Sequence, residues 1–124
     1  MRNYLAISVG GAFGCVARFY LEGLIPEIFG SDFPYATLAI NVLGAFFMGF
    51  LFIETLERVA ITPAVRTGVL TGVLGGFTTF STFSMEVVLL VQQGEAARAA
   101  LYVALSLAMG LGAAFAGAYI ARNL

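Results

Sequence analysis

The stretch GGFTTFSTFS, residues 75–84, holds three phenylalanines at three-residue intervals, Phe77, Phe80 and Phe83. Residues three apart lie close together on a helix, so these rings and Glu86 would form a slowly drifting stripe on one face. Hydroxyl side chains fill most of the positions between the rings: Thr78, Thr79, Ser81, Thr82 and Ser84. A phenyl ring has a positive edge, so ring edges and hydroxyl protons together can surround a small anion without a fixed positive charge. Such binding is weak enough to let the anion leave, which conduction requires.

Two glycines, Gly75 and Gly76, come directly before this stripe and would loosen a helix there. Unwound backbone at membrane depth is tolerated only where it is buried or lines a cavity, and its freed carbonyls can bind a cation. The hydroxyls have a simpler alternative, because each can bond to a carbonyl one turn earlier. That alternative explains one or two hydroxyls more easily than five within residues 78–84.

Other polar residues also fall inside apolar segments, where an unpaired polar group costs several kcal/mol. Arg18 precedes Glu22 by four residues, a spacing that allows either a self-neutralising pair or an arginine that draws anions toward an entrance. Asn41 can join two helices or donate its amide protons to an anion. Tyr102 and Ser106, one turn apart, can join helices or continue a polar path.

The composition predicts a membrane protein. The 124 residues are 60% hydrophobic and 10% charged, with a mean hydropathy of +0.97, whereas soluble domains are about 25% charged. A net charge of −1 without a basic cluster argues against nucleic-acid binding. The single cysteine, Cys15, excludes an internal disulfide and a cysteine metal site.

Four segments are long enough to cross a bilayer, which takes about 20 apolar residues each. They are residues 3–24, 35–55, 63–91 and 95–120. The connections are too short to fold alone, so we predict an all-α integral membrane protein with residues 1–124 as a single transmembrane domain. The first segment is expected to be retained rather than cleaved as a signal, because its apolar run is long and lacks a small-residue cleavage site.

Glycines recur at four-residue spacing, a pattern that lets helix backbones approach closely in lipid. They are Gly10 and Gly14 in the first segment and Gly68, Gly72 and Gly76 in the third. So much small-residue surface favours oligomerisation. The arginines give a modest bias toward a cytoplasmic N-terminus, which is compatible with insertion in both orientations.

Three stretches, GGAFGCVARFY, ATLAINVLGAFFMGF and GFTTFSTFSMEV, resemble the small fluoride channels called Fluc or CrcB, and the likeness covers essentially the whole chain. The resemblance implies an antiparallel, dual-topology homodimer with two fluoride pores at the subunit interface. It also implies a third helix that is broken near its middle, at the centre of the dimer.

The resemblance further implies roles for single residues. Phe80 and Phe83 would coordinate fluoride with their ring edges, and Asn41 would donate a hydrogen bond beside them. Backbone carbonyls of Gly75 and Thr78 from both subunits would hold a structural Na⁺. The polar pathway would continue through Ser81, Thr82, Ser84, Glu86, Tyr102 and Ser106, and Arg18 matches an arginine associated with pore entry.

The function implied is passive, fluoride-selective export across the inner (plasma) membrane, which protects a cell from fluoride that enters as HF. The strongest alternative is a proton-coupled small multidrug exporter of similar size and dual topology. It would need a titratable carboxylate deep in the membrane, whereas Glu22 has a neighbouring arginine and Glu86 is predicted near an interface. A membrane scaffold without transport is a second alternative. An enzyme is least favoured, because the chain has no histidine to act as a base.

Overall fold

A computed structural model describes every residue except Val59, and the described residues form helices without strands. Four helical spans are long and apolar enough to cross a membrane. They are span 1, Arg2–Phe29, span 2, Tyr35–Glu57, span 3, Pro63–Gln92, and span 4, Ala96–Arg122. The predicted all-α architecture with four membrane-spanning segments is thus confirmed. The connection predicted at residues 56–62 includes Val59, which lies outside the described residues.

Span 1 continues past its predicted end at residue 24 and includes Pro26. A proline inside a helix removes one backbone hydrogen bond and usually bends the helix rather than ending it in a long apolar segment. The helix ends instead before Gly30, whose φ of 87° favours glycine. Gly30 N–H donates to Pro26 O at 2.8 Å and closes the last turn.

The four spans pack chiefly as two pairs: span 1 against the first part of span 3, and span 2 against span 4. Backbones approach closely in the second pair. A Cβ added at Gly49 would collide with the carbonyl oxygen of Ala114, and one at Gly117 would collide with that of Phe46. The close approach predicted for glycine-rich membrane helices therefore extends to this pair as well.

The first pair is joined by the glycine seam, which we define as Gly10, Gly14, Gly68, Gly72 and Gly76. A Cβ at Gly10 would collide with the Gly68 carbonyl oxygen, and one at Gly14 would collide with the carbonyl oxygen of Val73. The predicted role of the four-residue glycine spacing in close helix packing is confirmed here.

Span 3 is not uniform along its length. Its parts are an α-helical turn, Pro63–Thr67, a π-helical segment, Gly68–Leu74, a short α segment, Gly75–Phe77, and a regular α-helix, Phe80–Gln92. Between the last two, Thr78 and Thr79 have extended backbones, with ψ of 158° and 124°. Two consecutive extended residues interrupt the helical hydrogen bonds in the middle of this span.

Candidate functional site

Asn41 on span 2 is hydrogen bonded to both backbone groups of Thr79. Thr79 N–H donates to Asn41 Oδ1 at 2.8 Å, and Asn41 Nδ2 donates to Thr79 O at 2.9 Å. The amide therefore replaces helical partners that Thr79 lacks. Of the two roles that the sequence left open for Asn41, the structure shows the joining of two spans, and the second amide proton remains for another acceptor.

Two carbonyls at the interruption lack the N–H donors that a continuous helix would give them, because those donors are bonded elsewhere. Gly75 O would accept from Thr79 N–H, which instead donates to Asn41. Thr78 O would accept from Thr82 N–H, which instead donates to Thr79 Oγ1 at 3.3 Å. These two carbonyls belong to the residues predicted to hold Na⁺. Carbonyl oxygens released from helical bonding suit a hard cation, so the donor set fits the predicted ion.

The hydroxyls divide into two groups. Thr78 and Ser84 each donate to a carbonyl one turn earlier, both at 2.9 Å, so the simpler alternative holds for these two. The other three, Thr79, Ser81 and Thr82, form a cluster in which Thr79 Oγ1 lies 3.1 Å from Thr82 Oγ1 and 3.5 Å from Ser81 Oγ. Thr79 also caps the helix that begins at Phe80.

A row of three aromatic rings, Phe80, Phe83 and Tyr102, begins next to Thr79 and leads to Glu86. We call these four residues, Phe80, Phe83, Tyr102 and Glu86, the aromatic track. The ring centroids of Phe80 and Phe83 are 5.6 Å apart, and those of Phe83 and Tyr102 are 5.0 Å apart. Tyr102 is fully buried, and its hydroxyl donates to Glu86 Oε1 at 2.9 Å. Phe77 ends the preceding helical segment, so it does not share a continuous helix with the other two phenylalanines.

Two open pockets flank the aromatic track. The first, of about 310 Å³, adjoins Phe80 and is lined by Asn41, Gly44, Ala45, Met48, Thr78 and Thr79. The second, of about 360 Å³, includes Thr82 and Glu86 and extends to the connection between spans 1 and 2. Phe80 itself is 78% exposed. One pocket therefore lies at the interrupted backbone, and the other lies at the Glu86 end of the track.

Arg18 is engaged on two sides. Its Nε donates to Gly76 O at 3.2 Å, and its guanidinium pairs with Glu22 at 3.2 Å. The structure thus shows the self-neutralising pair that the spacing allowed. The bond to Gly76 also ties Arg18 to the backbone directly before the interruption in span 3.

Ser106, one turn after Tyr102 on span 4, lies apart from these hydrogen bonds. Its Oγ is buried and has no hydrogen-bond partner within the described part of the chain. A buried hydroxyl without a partner is costly, so this oxygen has unused capacity for a ligand or a water molecule.

Thr37 is a neighbour of the track that the sequence reasoning missed. It is 1% exposed and lines the same pocket as Glu86. Its position four residues before Asn41 was the available signal, because that spacing puts both polar side chains on one face of span 2.

Arg66, at the start of span 3, forms a second cluster that the sequence did not predict. Its Nε donates to Thr55 Oγ1 at 2.8 Å, and its guanidinium lies 4.6 Å from the centroid of the Phe52 ring. A further bond at 3.2 Å reaches Phe52 O near the end of span 2. This arginine fastens the beginning of span 3 to span 2, 14 residues before Phe80.

A family model described as CrcB-like protein, Camphor Resistance (CrcB), matches residues 5–118. The chain belongs to the CrcB family. Residues 5–118 include every residue of the candidate site described above, from Arg18 to Ser106.

Curated relatives agree with the CrcB assignment. A protein of Acidithiobacillus ferrooxidans named Fluoride-specific ion channel FluC is 52% identical over 117 residues, 94% of each chain. One of the same name from Geobacter sulfurreducens is 45% identical over the full length of both. Another from Methylococcus capsulatus is 46% identical over 98% of this chain and 54% of its own.

These matches confirm the resemblance to the CrcB family that the three sequence stretches indicated. The family consists of ion channels, so the prediction that the chain is not an enzyme is confirmed too. With its four apolar spans, the chain is a multi-pass membrane protein.

Proposed function

We propose that this chain is a passive, fluoride-selective channel. The observation that carries the proposal is the aromatic track, in which phenyl edges, a phenol and hydroxyls follow one another from Phe80 to Glu86. The relatives' shared name, Fluoride-specific ion channel FluC, supports fluoride as the ion that moves along it.

The chemistry of the track suits a small, strongly hydrated anion. Phenyl edges of Phe80 and Phe83 and the free amide proton of Asn41 offer positive partial charge in place of water. Arg18 is already paired with Glu22, so its charge is partly neutralised. An anion held only by partial charges can leave again, as conduction requires. Since no step consumes energy, fluoride runs down its own electrochemical gradient.

We propose that the working unit is an antiparallel, dual-topology homodimer with two pores at its interface. Phe80 is 78% exposed beside an interrupted backbone, and interrupted backbone facing lipid is not tolerated in a membrane. A second copy of the chain would cover both the Phe80 ring and the interrupted backbone. A two-fold axis in the membrane plane brings the same face of each subunit to the centre and creates two equivalent tracks.

Structural Na⁺ at the centre of that dimer is part of the proposal. Carbonyls of Gly75 and Thr78 from both subunits would hold it, because their helical donors are bonded elsewhere. The ion would supply positive charge that offsets the repulsion between converging carbonyls. Purified protein should unfold at a higher temperature in Na⁺ than in the same concentration of N-methylglucamine. Equal unfolding temperatures would contradict the role of Na⁺.

The proposed location is the inner (plasma) membrane. A membrane potential that is negative inside drives anions outward, so a passive channel there exports fluoride. The expected phenotype is fluoride resistance: a sensitive strain that expresses the chain should grow at fluoride concentrations that stop the parent strain.

Fluoride efflux from liposomes tests the channel directly. Purified protein is reconstituted, and loss of fluoride and of chloride is followed with ion-selective electrodes. We expect rapid loss of fluoride only, and its suppression by Phe80→Ile. The matched control is Phe115→Ile on span 4, because Phe115 is 75% exposed and lies outside the track. Absence of fluoride loss from folded protein, or equal suppression by both substitutions, would contradict the proposal.

Glu86→Gln separates the channel from the proton-coupled exporter. An exporter that uses this carboxylate would stop transporting, whereas a passive channel should retain much of its fluoride flux. Glutamine can still accept a hydrogen bond from Tyr102, so local packing is preserved. The relatives' names describe ion channels, which leaves the exporter without support from the comparisons.

A further inference from the structure

The three glycines of span 3 in the glycine seam all face span 1. A Cβ added at Gly68 or Gly76 would lie 2.9 Å from an atom of span 1, and one at Gly72 would lie 3.0 Å from another. Gly76, at the end of this row, comes eight residues after Gly68 along span 3. Glycines at both ends of the row therefore point in nearly the same direction from the helix axis.

A regular α-helix would not align them. At about 100° per residue, eight residues turn through about 800°, which is about 80° past two full turns. Gly76 would then have rotated off the face that Gly68 presents to span 1. The observed alignment therefore requires slower winding between these two glycines.

The π-helical segment, Gly68–Leu74, supplies that slower winding. Gly75 N–H is shared between Leu70 O, five residues earlier, and Gly72 O, three residues earlier, whereas Thr78 N–H donates to Leu74 O, four residues earlier. A five-residue bond closes a ring one residue longer than the α-helical bond, so one residue is extra. Eight residues then occupy seven α-helical positions and turn through about 700°, about 20° short of two full turns.

We infer that the π-helical segment is a one-residue insertion that positions the functional part of span 3. It keeps the glycine seam straight as far as Gly76. There the Gly76 carbonyl accepts from Arg18, and the interruption at Thr78 and Thr79 meets Asn41. The residues of the segment touch no ion; they set the rotation about the helix axis at which the following residues face their partners.

Paired single-residue deletions test this inference. Deletion of Thr71, which is exposed, removes the extra residue and lets the segment close as an α-helix, with Gly68 and Gly76 still aligned. The matched control is deletion of Ala12, which is exposed and lies between Gly10 and Gly14 on the regular helix of span 1. That deletion rotates one seam glycine relative to the other by about 100°.

Thermal unfolding and fluoride flux are the first readouts. We expect the Thr71 deletion to unfold within about 4 °C of the parent protein and to keep its flux within about threefold. The Ala12 deletion should lose folded protein. Equal damage from both deletions would overturn the inference, because the π-helical segment would then contain no dispensable residue. Equal tolerance would also overturn it, because the seam would then not set the register.

A disulfide reports the register by a second route, compared among variants that all carry the same seam substitution, Gly76→Cys, whose Cβ crowds Gly11 O at 2.9 Å. A Cβ at Gly76 would lie 3.3 Å from Cys15 Sγ, so Gly76→Cys should form a disulfide with Cys15 when oxidised by copper phenanthroline. We expect this bond in the parent and in the Thr71 deletion but not in the Ala12 deletion, as measured by mass spectrometry after thiol alkylation. Loss of the bond in the Thr71 deletion would overturn the inference. Only the flux readout rests on the proposed channel function; if the parent carries no fluoride, unfolding and cross-linking still decide the register.

Discussion

The two halves of span 3 hold their neighbours by different means. Before the interruption, the span meets span 1 through the glycine seam, where backbone lies against backbone and no space remains for a Cβ. After it, the helix Phe80–Gln92 meets span 4 through side chains, chiefly the rings of Phe83 and Tyr102. Thr79 stands between the two halves and is bonded to Asn41.

This difference shows how one span can be both rigid and adaptable. Backbone contact without side chains fixes distance and rotation, because neither partner has a rotamer that can yield. Side-chain contact can adjust, because rings and hydroxyls have alternative rotamers. Substitutions in the two halves of span 3 should therefore differ in kind.

The largest effect is expected at the seam. Gly14→Ala would drive a Cβ into the Val73 carbonyl oxygen and to 2.8 Å from Phe77 N. We expect a loss of about 3 kcal/mol of stability, the upper range for overpacking, measured by thermal unfolding in detergent. The control is Gly112→Ala, where an added Cβ meets nothing within 4 Å. Similar destabilisation by both would remove the distinction between the two halves.

The next effect is expected at the junction. Asn41→Leu leaves Thr79 N–H and O without their partners, which should cost about 2 kcal/mol and reduce fluoride flux further than the stability loss explains. Asn123→Leu is the control, because Asn123 also donates to a carbonyl but at the exposed end of span 4. An unchanged unfolding temperature for Asn41→Leu would show that the interruption holds its shape without this amide.

A smaller effect is expected from the helix cap at Thr79. Thr79→Ala removes the acceptor for Thr82 N–H and should cost about 1 kcal/mol, whereas Thr79→Ser should restore most of it. Thr62 caps the start of span 3 in the same way, but it is exposed. Water can replace the Thr62 hydroxyl, so Thr62→Ala should cost less in the same urea or thermal unfolding experiment. The reverse order would contradict the expectation that the less exposed of the two caps contributes more to stability.

The smallest effect on stability is expected at Ser81. Its Oγ lies 3.5 Å from Thr79 Oγ1, at the limit of a hydrogen bond, and the residue is exposed. Ser81→Ala should change stability by less than about 0.5 kcal/mol yet lower fluoride flux, if this hydroxyl lines the pathway. Ser8→Ala, which removes an exposed hydroxyl on span 1, should alter neither. Identical flux in both variants would remove Ser81 from the pathway.

Much of the candidate site was visible in the residues themselves. The phenylalanines at three-residue spacing predicted the neighbouring rings of Phe80 and Phe83, because that spacing brings side chains together on any helix. The four-residue spacing of Arg18 and Glu22 allowed the pair that the structure shows, but it left open an arginine that draws anions instead. Local periodicity is enough for contacts within one helix.

Contacts between spans were beyond such reasoning. The sequence left open whether Asn41 joins helices or faces an anion, and only the packing of span 2 against span 3 shows its two bonds to Thr79. The cluster around Arg66 was missed for the same reason, because its partners Thr55 and Phe52 lie on span 2. Thr37 differs, because its four-residue spacing to Asn41 was a local signal that was left unused.

The sequence by itself determined that four apolar helices cross a membrane, that glycines bring them close, and that a stripe of rings and hydroxyls lies on the third. Those properties depend on composition and local spacing, since the bilayer imposes helix and length alike. Only the tertiary structure decided where span 3 is interrupted and how it is rotated against span 1. The interruption depends on Asn41 of span 2, which accepts from Thr79 N–H, and the rotation depends on the backbone contacts of the seam with span 1. No local pattern specifies either.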